Sequence, residues 1–369
     1  MPHLGAKYPT ELGEMFRNIQ ALRGVAALLV FVMHIIPHGY GVDDFLYKFW
    51  WIGPSGVDLF FVISGFIVCY TAARAGRADE PSYAAAGKFA IKRVVRIFPV
   101  YWAVLICAMV VAHKVELSPP DLPSYDTWRY FPLFVMHNKY VMLAWTLAFE
   151  MFFYLMLGLI ILFRPKDLYR YVALWMVVQA AVVGIASTYR PDGFDNFGWV
   201  FTSPLVLEFG MGCLVAFLID KGVKGMGIEA FISGVLLFSV GCYVNSYFGN
   251  WGPAWRPAMF APGAALIVYG LIDIEERFGF VFPRFMQKLG DASYSIYIWH
   301  QLVVSILMKA AVKFGWLAMF PGWLLIVGYG AVALVVGFIS YAVIEKPTQN
   351  WIHRVLAKPK SAPAATTTA

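Results

Sequence analysis

Ten apolar stretches, each close to the length that crosses a bilayer, divide most of the chain between them: residues 19–37, 56–73, 94–113, 142–163, 169–187, 202–219, 228–248, 257–273, 292–313 and 321–344. A helix needs about 20 apolar residues to traverse a hydrocarbon layer of about 30 Å. In lipid the backbone must satisfy its own hydrogen bonds, so only helices or closed barrels can span it. These runs are continuous rather than alternating, which selects helices over strands. The predicted fold is therefore all-α, a polytopic membrane bundle of about ten helices. Composition agrees: 60% of residues are hydrophobic and 14% charged, against about 25% charged in soluble domains.

An even number of spans returns both termini to one side, and basic residues identify that side. With the N-terminus placed in the cytoplasm, 20 of the 29 lysines and arginines fall in inner segments and 7 in outer loops, with Arg23 and Lys309 inside spans. Cytoplasmic loops carry such an excess, so the predicted orientation is N-in and C-in. The net charge of +7 then reflects loop bias, and nucleic-acid binding is not expected. Residues 1–18 read as a cytoplasmic N-terminal segment without a cleavable signal pattern, 19–348 as the membrane domain, and 349–369 as a cytoplasmic, mostly disordered tail. Cys69, Cys107, Cys213 and Cys242 all lie in apolar runs and form no CxxC pair. They read as core residues, and no metal-ligand cluster is visible.

Ionisable side chains within the spans are the candidates for function, because burying them is costly. Span 1 carries Arg23 and His34. Eleven steps of about 100° bring both to one helix face, roughly 16 Å apart along the axis. The orientation puts Arg23 near the cytoplasmic edge and His34 in the outer half. Span 2 contains Asp58 at its outer end and then Ser64-Gly65. That pair reads either as a close helix contact or as the lining of a narrow channel. Arg93 and Arg96, three residues apart before span 3, share a face. They read either as ordinary positive-inside anchors or as a phosphate clamp. Span 4 carries Trp145, Thr146 and Glu150. Glu150 is expected at the depth of His34, and two readings stand: an ion pair with that imidazole, or a structural hydrogen bond. His300, amid Tyr and Ser in span 9, reads as a packing histidine. Glu345-Lys346-Pro347 reads as a helix stop at the inner surface, and the long outer segment 114–141 as a cover for a site. Glu208 and Lys309 are buried charges without an assigned role.

These residues form a recurrent pattern. Arg23 with His34, Phe60-Phe61-Val-Ile-Ser64-Gly65-Phe66, Arg93-Val-Val-Arg96 with Phe98-Pro99 and Tyr101-Trp102, Trp145-Thr146-Leu-Ala-Phe-Glu150-Met-Phe-Phe-Tyr154, Ser293-Tyr294-Ser295-Ile-Tyr297-Ile-Trp-His300 and Glu345-Lys-Pro347 occur in order. Over residues 17–350 the chain resembles the transmembrane acyltransferase-3 family, most closely its rhizobial-type exopolysaccharide O-acetyltransferases. Thr146 stands where serine is commoner and keeps the hydroxyl. The resemblance implies a multi-pass enzyme of the bacterial inner membrane. It implies no resident cofactor, but acyl-CoA, acetyl-CoA by default, as a cytoplasmic co-substrate. The acceptor would be a hydroxyl of a glycan or lipid-linked saccharide such as exopolysaccharide. Membrane lipids and polysaccharide synthesis or export machinery are the other implied partners.

On that reading Arg93, Arg96 and Arg23 hold the phosphates of coenzyme A. The pantetheine arm threads the bundle along the Arg23–His34 face. His34 acts as general base, or as a transient acyl carrier, with Glu150 orienting it. Asp58, Ser64, Trp145 and Thr146 are the candidates for substrate or oxyanion contacts. The rival from another class is a transporter or flippase for a glycan or lipid-linked precursor, in which the intramembrane charges form a proton relay.

Overall fold

The computed structural model describes residues 16–35, 52–75, 81–114, 128–133, 138–189, 198–248 and 255–356. Within them every regular element is helical. The long helices are α1 (Arg17–Ile35), α2 (Ser55–Ala75), α3 (Ser82–Lys114), α4 (Ala144–Phe163), α5 (Leu168–Tyr189), α6 (Val206–Asp220), α7 (Gly227–Phe248), α8 (Arg256–Phe278), α9 (Ser293–Lys313) and α10 (Gly322–Ser340). They follow the ten apolar stretches in order. The chain is thus an integral membrane protein, a polytopic helical bundle. Nine helices among the described residues are long and apolar enough to cross a membrane.

The exception is α6. Its 15 residues rise about 22 Å, short of the hydrocarbon thickness. The expected span 202–219 is broken at Ser203–Leu205, around Pro204, behind the short helix Gly198–Thr202. A broken helix is tolerated at membrane depth when protein covers it, and α6 is covered. It crosses α2 where Gly65 and Gly212 leave no room for a side chain. A Cβ on Gly65 would meet the backbone of Phe209, and one on Gly212 the backbone of Val62 and Phe66. Small residues at the crossing let two backbones approach closely.

Hydrogen bonds tie the start of α1 to the end of α8. The amides of Arg17 and Asn18 donate to Glu275 at 3.1 and 2.8 Å. The same end of the bundle carries the Lys224–Glu276 and Arg277–Asp273 ion pairs, 2.7 and 3.4 Å. The short amphipathic helix Arg284–Asp291 packs against α1, with Gly290 against the backbone of Gln20. Gly330, midway along α10, lies near Ile35 and Phe31 at the far end of α1, and Gly337 and Glu345 lie against Ile296 and Ser295 in the first turn of α9. The first and last spans therefore meet at one end, as an even crossing count requires.

Glu345-Lys-Pro347 does not stop the last helix. Tyr341–Glu345 form a π-helical turn, and the chain continues helically over Lys346–Leu356. The wider turn takes up the proline ring and its missing N–H. Thr348 Oγ1 shares its single hydrogen between the carbonyls of Ile344 and Glu345, at 2.7 and 2.9 Å. Residues 349–356, read as tail from the sequence, are thus helical; 357–369 lie outside the described residues. Of the outer segment 114–141, most lies outside the described residues. The rest docks on α3: Asn138 Nδ2 donates to Tyr101 Oη at 2.9 Å, and Tyr101 donates to the Tyr130 carbonyl. Cys69, Cys213 and Cys242 are buried as expected, whereas Cys107 sits on an exposed face of α3. Lys309 is exposed rather than buried.

Candidate active site

Helices α1, α2, α3, α4 and α9 surround a partly open cavity. Arg23, Arg93, Arg96 and Glu150 are its charged walls. Ser64, Thr146, Tyr154, Tyr294 and Tyr297 add hydroxyls, and Phe60, Phe61 and Leu147 are among its apolar walls. Three arginines on two helices, far apart in sequence, therefore face one cavity.

The arginines are held differently. Arg23 Nη1 donates to Gln20 Oε1 at 2.9 Å, and Gln20 Nε2 donates to Asp291 Oδ1 at 3.0 Å. Arg93 Nη2 donates to Thr71 Oγ1 at 3.3 Å, and its guanidinium lies 5.2 Å from the Phe89 ring and 5.4 Å from the Tyr154 ring. Its Nε is buried and has no hydrogen-bond partner among the described residues. Arg96 sits in the electrostatic field of Glu150 and Glu345. Glu345 is 3% exposed. It accepts from Ser295 Oγ at 2.7 Å and from Gln349 Nε2 at 3.2 Å. The supposed helix stop is thus a buried counter-charge next to the arginines. The walls carry three guanidinium groups and one carboxylate, with Glu345 and Asp291 near them as further counter-charges.

Glu150 does not pair with His34. Its Oε1 accepts from Ser64 Oγ at 3.0 Å and from Tyr154 Oη one turn on. The carboxylate lies in the arginine-lined part of the cavity rather than at the depth of the histidine. Helix phase explains the difference: Glu150 and Tyr154 are four residues apart and share a face with the arginines. Ser64 and Gly65 divide the two readings of span 2. Gly65 faces α6 as a packing contact, while Ser64 faces the cavity. Thr146 lines the cavity, donates to the Leu143 carbonyl at 2.9 Å, and shares a 2.9 Å hydrogen bond with Tyr297 Oη.

Two expected contact residues lie elsewhere. Trp145 packs among Phe61, Phe149 and Trp199, with ring centroids 6.5, 6.0 and 5.8 Å away. Asp58 is fully buried in an ion pair with Arg256, 2.6 and 3.0 Å, and Arg256 also donates to the Pro54 carbonyl at 3.0 Å. Glu208, likewise buried, borders this pair. The cluster joins α2, α6 and α8 away from the cavity walls. In the sequence Arg256 falls just before the 257–273 stretch, where a basic residue reads as loop, so the pairing has no signal there.

His34 is not on the cavity wall either. It contacts His300, the histidine read as packing: His34 Nδ1 and His300 Nε2 are 3.2 Å apart. His300 borders Tyr297, with ring centroids 6.0 Å apart. The order through the bundle is therefore arginine-lined cavity, Tyr297 with Thr146, His300, then His34. The cavity does not run along the Arg23–His34 face as expected; it lies between α1 and its neighbours.

A bundle with an arginine-lined cavity and a histidine at its far end can be compared with known proteins. A family profile described as an acyltransferase domain matches residues 16–342. The chain belongs to the acyltransferase-3 family. It is 29% identical over 310 residues to the exopolysaccharide production protein ExoZ of Rhizobium meliloti (strain 1021), covering 80% of this chain and 89% of that one. Over 353 residues it is 26% identical to nodulation protein 10 of Rhizobium leguminosarum bv. viciae, covering 85% of each. It is also 22% identical to the putative membrane-bound transacylase BcsY of Komagataeibacter xylinus, covering 92% of this chain and 84% of that one. No solved structure matches the chain.

Proposed function

We propose that this membrane acyltransferase moves an acyl group, acetyl by default, from cytoplasmic acyl-CoA to a hydroxyl of a cell-surface glycan, with exopolysaccharide as the acceptor class. The observation that carries the reading is the cavity: three arginines line it, and Tyr297 on its wall lies one turn before His300, which meets His34. Guanidinium groups suit the phosphates of coenzyme A. The unpartnered Nε of Arg93 offers a donor that the protein itself does not use. The flexible pantetheine arm would fill the space among Ser64, Leu147 and Phe60, bringing the thioester towards Thr146 and Tyr297.

His34 is the general base in this mechanism. It takes the proton of the acceptor hydroxyl while the oxygen attacks the thioester carbonyl. The carbon–sulfur bond then breaks, and the leaving thiolate receives that proton. The hydroxyl groups of Thr146 and Tyr297 would turn from the Leu143 carbonyl and from each other to donate to the developing oxyanion. The positive-inside distribution of lysine and arginine supports a cytoplasmic face at the start of α1, and with it a plasma-membrane location in a bacterium. The acceptor class rests on the names of the relatives.

The test is direct. Membranes containing the protein are incubated with acetyl-CoA labelled in the acetyl group and with surface polysaccharide from cells lacking the gene. Label should enter the polysaccharide, and proton NMR should show a new ester. No transfer from any short acyl-CoA, with the protein folded, would refute the reading.

A further inference from the structure

We infer that His300 is the positioning partner of His34, holding its ring so that Nε2 is the basic nitrogen; this rests on the acyl-transfer reading above. The hydrogen bonds determine the tautomers. His34 Nδ1 lies 2.9 Å from the Val30 carbonyl oxygen, and His300 Nδ1 lies 3.2 Å from the Ile296 carbonyl oxygen. A carbonyl only accepts, so each Nδ1 carries a hydrogen. His300 Nε2 therefore presents a lone pair, and it points at His34 Nδ1 from 3.2 Å. The His34 Nδ1–H is shared between the Val30 carbonyl and His300 Nε2. His34 Nε2 makes no hydrogen bond among the described residues and is left free to take a proton.

The surroundings support a fixed rather than a mobile pair. His300 is fully buried, and His34 is partly exposed. Their rings meet at 64° with centroids 5.0 Å apart. Phe31 of α1 packs edge-on against His300 at 5.4 Å, and Tyr297 lies one turn before it on α9. From α10, Tyr329 belongs to the same buried cluster. Glu150 is engaged by Ser64 and Tyr154, and among the described residues no carboxylate hydrogen-bonds to either ring. A neutral imidazole thus occupies the place behind the base where a carboxylate orients the ring in a serine-type triad. When His34 Nε2 takes the proton of the acceptor hydroxyl, the Nδ1–H bond to His300 Nε2 becomes charge-assisted and steadies the imidazolium. The proton then leaves with the coenzyme A thiol, and His300 ends the cycle unchanged.

The experiment uses the full chain in nanodiscs with labelled acetyl-CoA and polysaccharide from cells lacking the gene. His300→Leu keeps volume but offers no acceptor; His300→Gln offers an amide oxygen. His300→Leu should lower kcat about 10- to 100-fold with KM for acetyl-CoA within about twofold, and His300→Gln should recover most of the rate. His300→Leu at the wild-type rate, with His34→Ala inactive, overturns the role of His300 and leaves acyl transfer standing. Wild-type rates in both His300→Leu and His34→Ala would overturn the histidine mechanism as a whole. A second measurement needs no variant at position 300: 15N-histidine NMR of the wild-type chain, assigned with His34→Gln. Both rings should show Nδ1-protonated tautomers, and an Nε2-protonated His34 would overturn the inference.

Discussion

Two buried groups of charges occupy neighbouring parts of the same bundle and differ in how completely they are closed. Asp58 and Arg256 bond inward, with a bidentate guanidinium–carboxylate pair and a backbone carbonyl as partners, while Glu208 is buried beside them with both oxygens unpartnered among the described residues. Arg23, Arg93, Arg96 and Glu150 line an open space, with more cations than anions on its walls and one guanidinium nitrogen unpartnered among the described residues. A charge in a membrane interior needs compensation. In the Asp58–Arg256 pair the protein supplies all of it, so the pair holds helices together. In the second it leaves compensation to a visitor, which is what a binding site for an anionic substrate requires. A residue type alone does not distinguish these outcomes; the accounting of partners does.

That contrast can be broken in several ways. The largest effect should come from the histidine at the far end of the open site. His34→Ala should lower acetyl transfer at least about 10²-fold while the amount of folded protein is unchanged by size-exclusion chromatography. Retained turnover would remove the base from the mechanism. In the closed cluster, Asp58→Ala should break the bidentate pair, leave Arg256 with Glu208 as its remaining counter-charge, and cost up to about 3–5 kcal/mol, seen as a drop in thermal stability. Replacing all three charges, Asp58→Leu with Arg256→Met and Glu208→Met, should recover much of that loss. If Asp58→Ala instead kept full stability and lost only activity, the cluster would belong to the site.

A smaller effect is expected at the open end. Arg93→Ala should raise KM for acetyl-CoA about tenfold, close to 1.4 kcal/mol of binding, with melting temperature nearly unchanged. An unaltered KM would return Arg93 to the role of a surface anchor. The smallest change is at Thr146. Thr146→Ser should behave like wild type, because the hydroxyl that meets Tyr297 remains, whereas Thr146→Val should lower kcat several-fold. Equal rates in serine and valine variants would exclude a function for that hydroxyl.

The order and number of helices were legible in the sequence because hydrophobicity and length are local properties. Arg23 stands out by the cost of burying it, and Arg93 and Arg96 by their shared face, with anchor and clamp both open; all three do face one cavity. The partners could not be read. Glu150 was matched to His34 on expected depth, but its helical phase turns it towards Ser64 and Tyr154. His300 looked like packing because a lone histidine among Tyr and Ser carries no mark of what faces it from another helix. Glu345 looked like a stop because proline usually ends a helix; the π turn before Pro347 is a tertiary solution, with the carboxylate drawn inward by Ser295.

By itself the sequence determined the all-helical bundle, the even passage of the chain and the identity of most charged residues that need a reason to be buried. These follow from the bilayer length and from the energy of a charge in hydrocarbon, which every segment meets independently. Only the tertiary structure decided which charge answers which. Pairing depends on the rotation of each helix about its axis and on close crossings such as Gly65 against α6, and helices far apart in the chain set those jointly. The same rotations place His300 behind His34 and leave the three arginines around an open cavity.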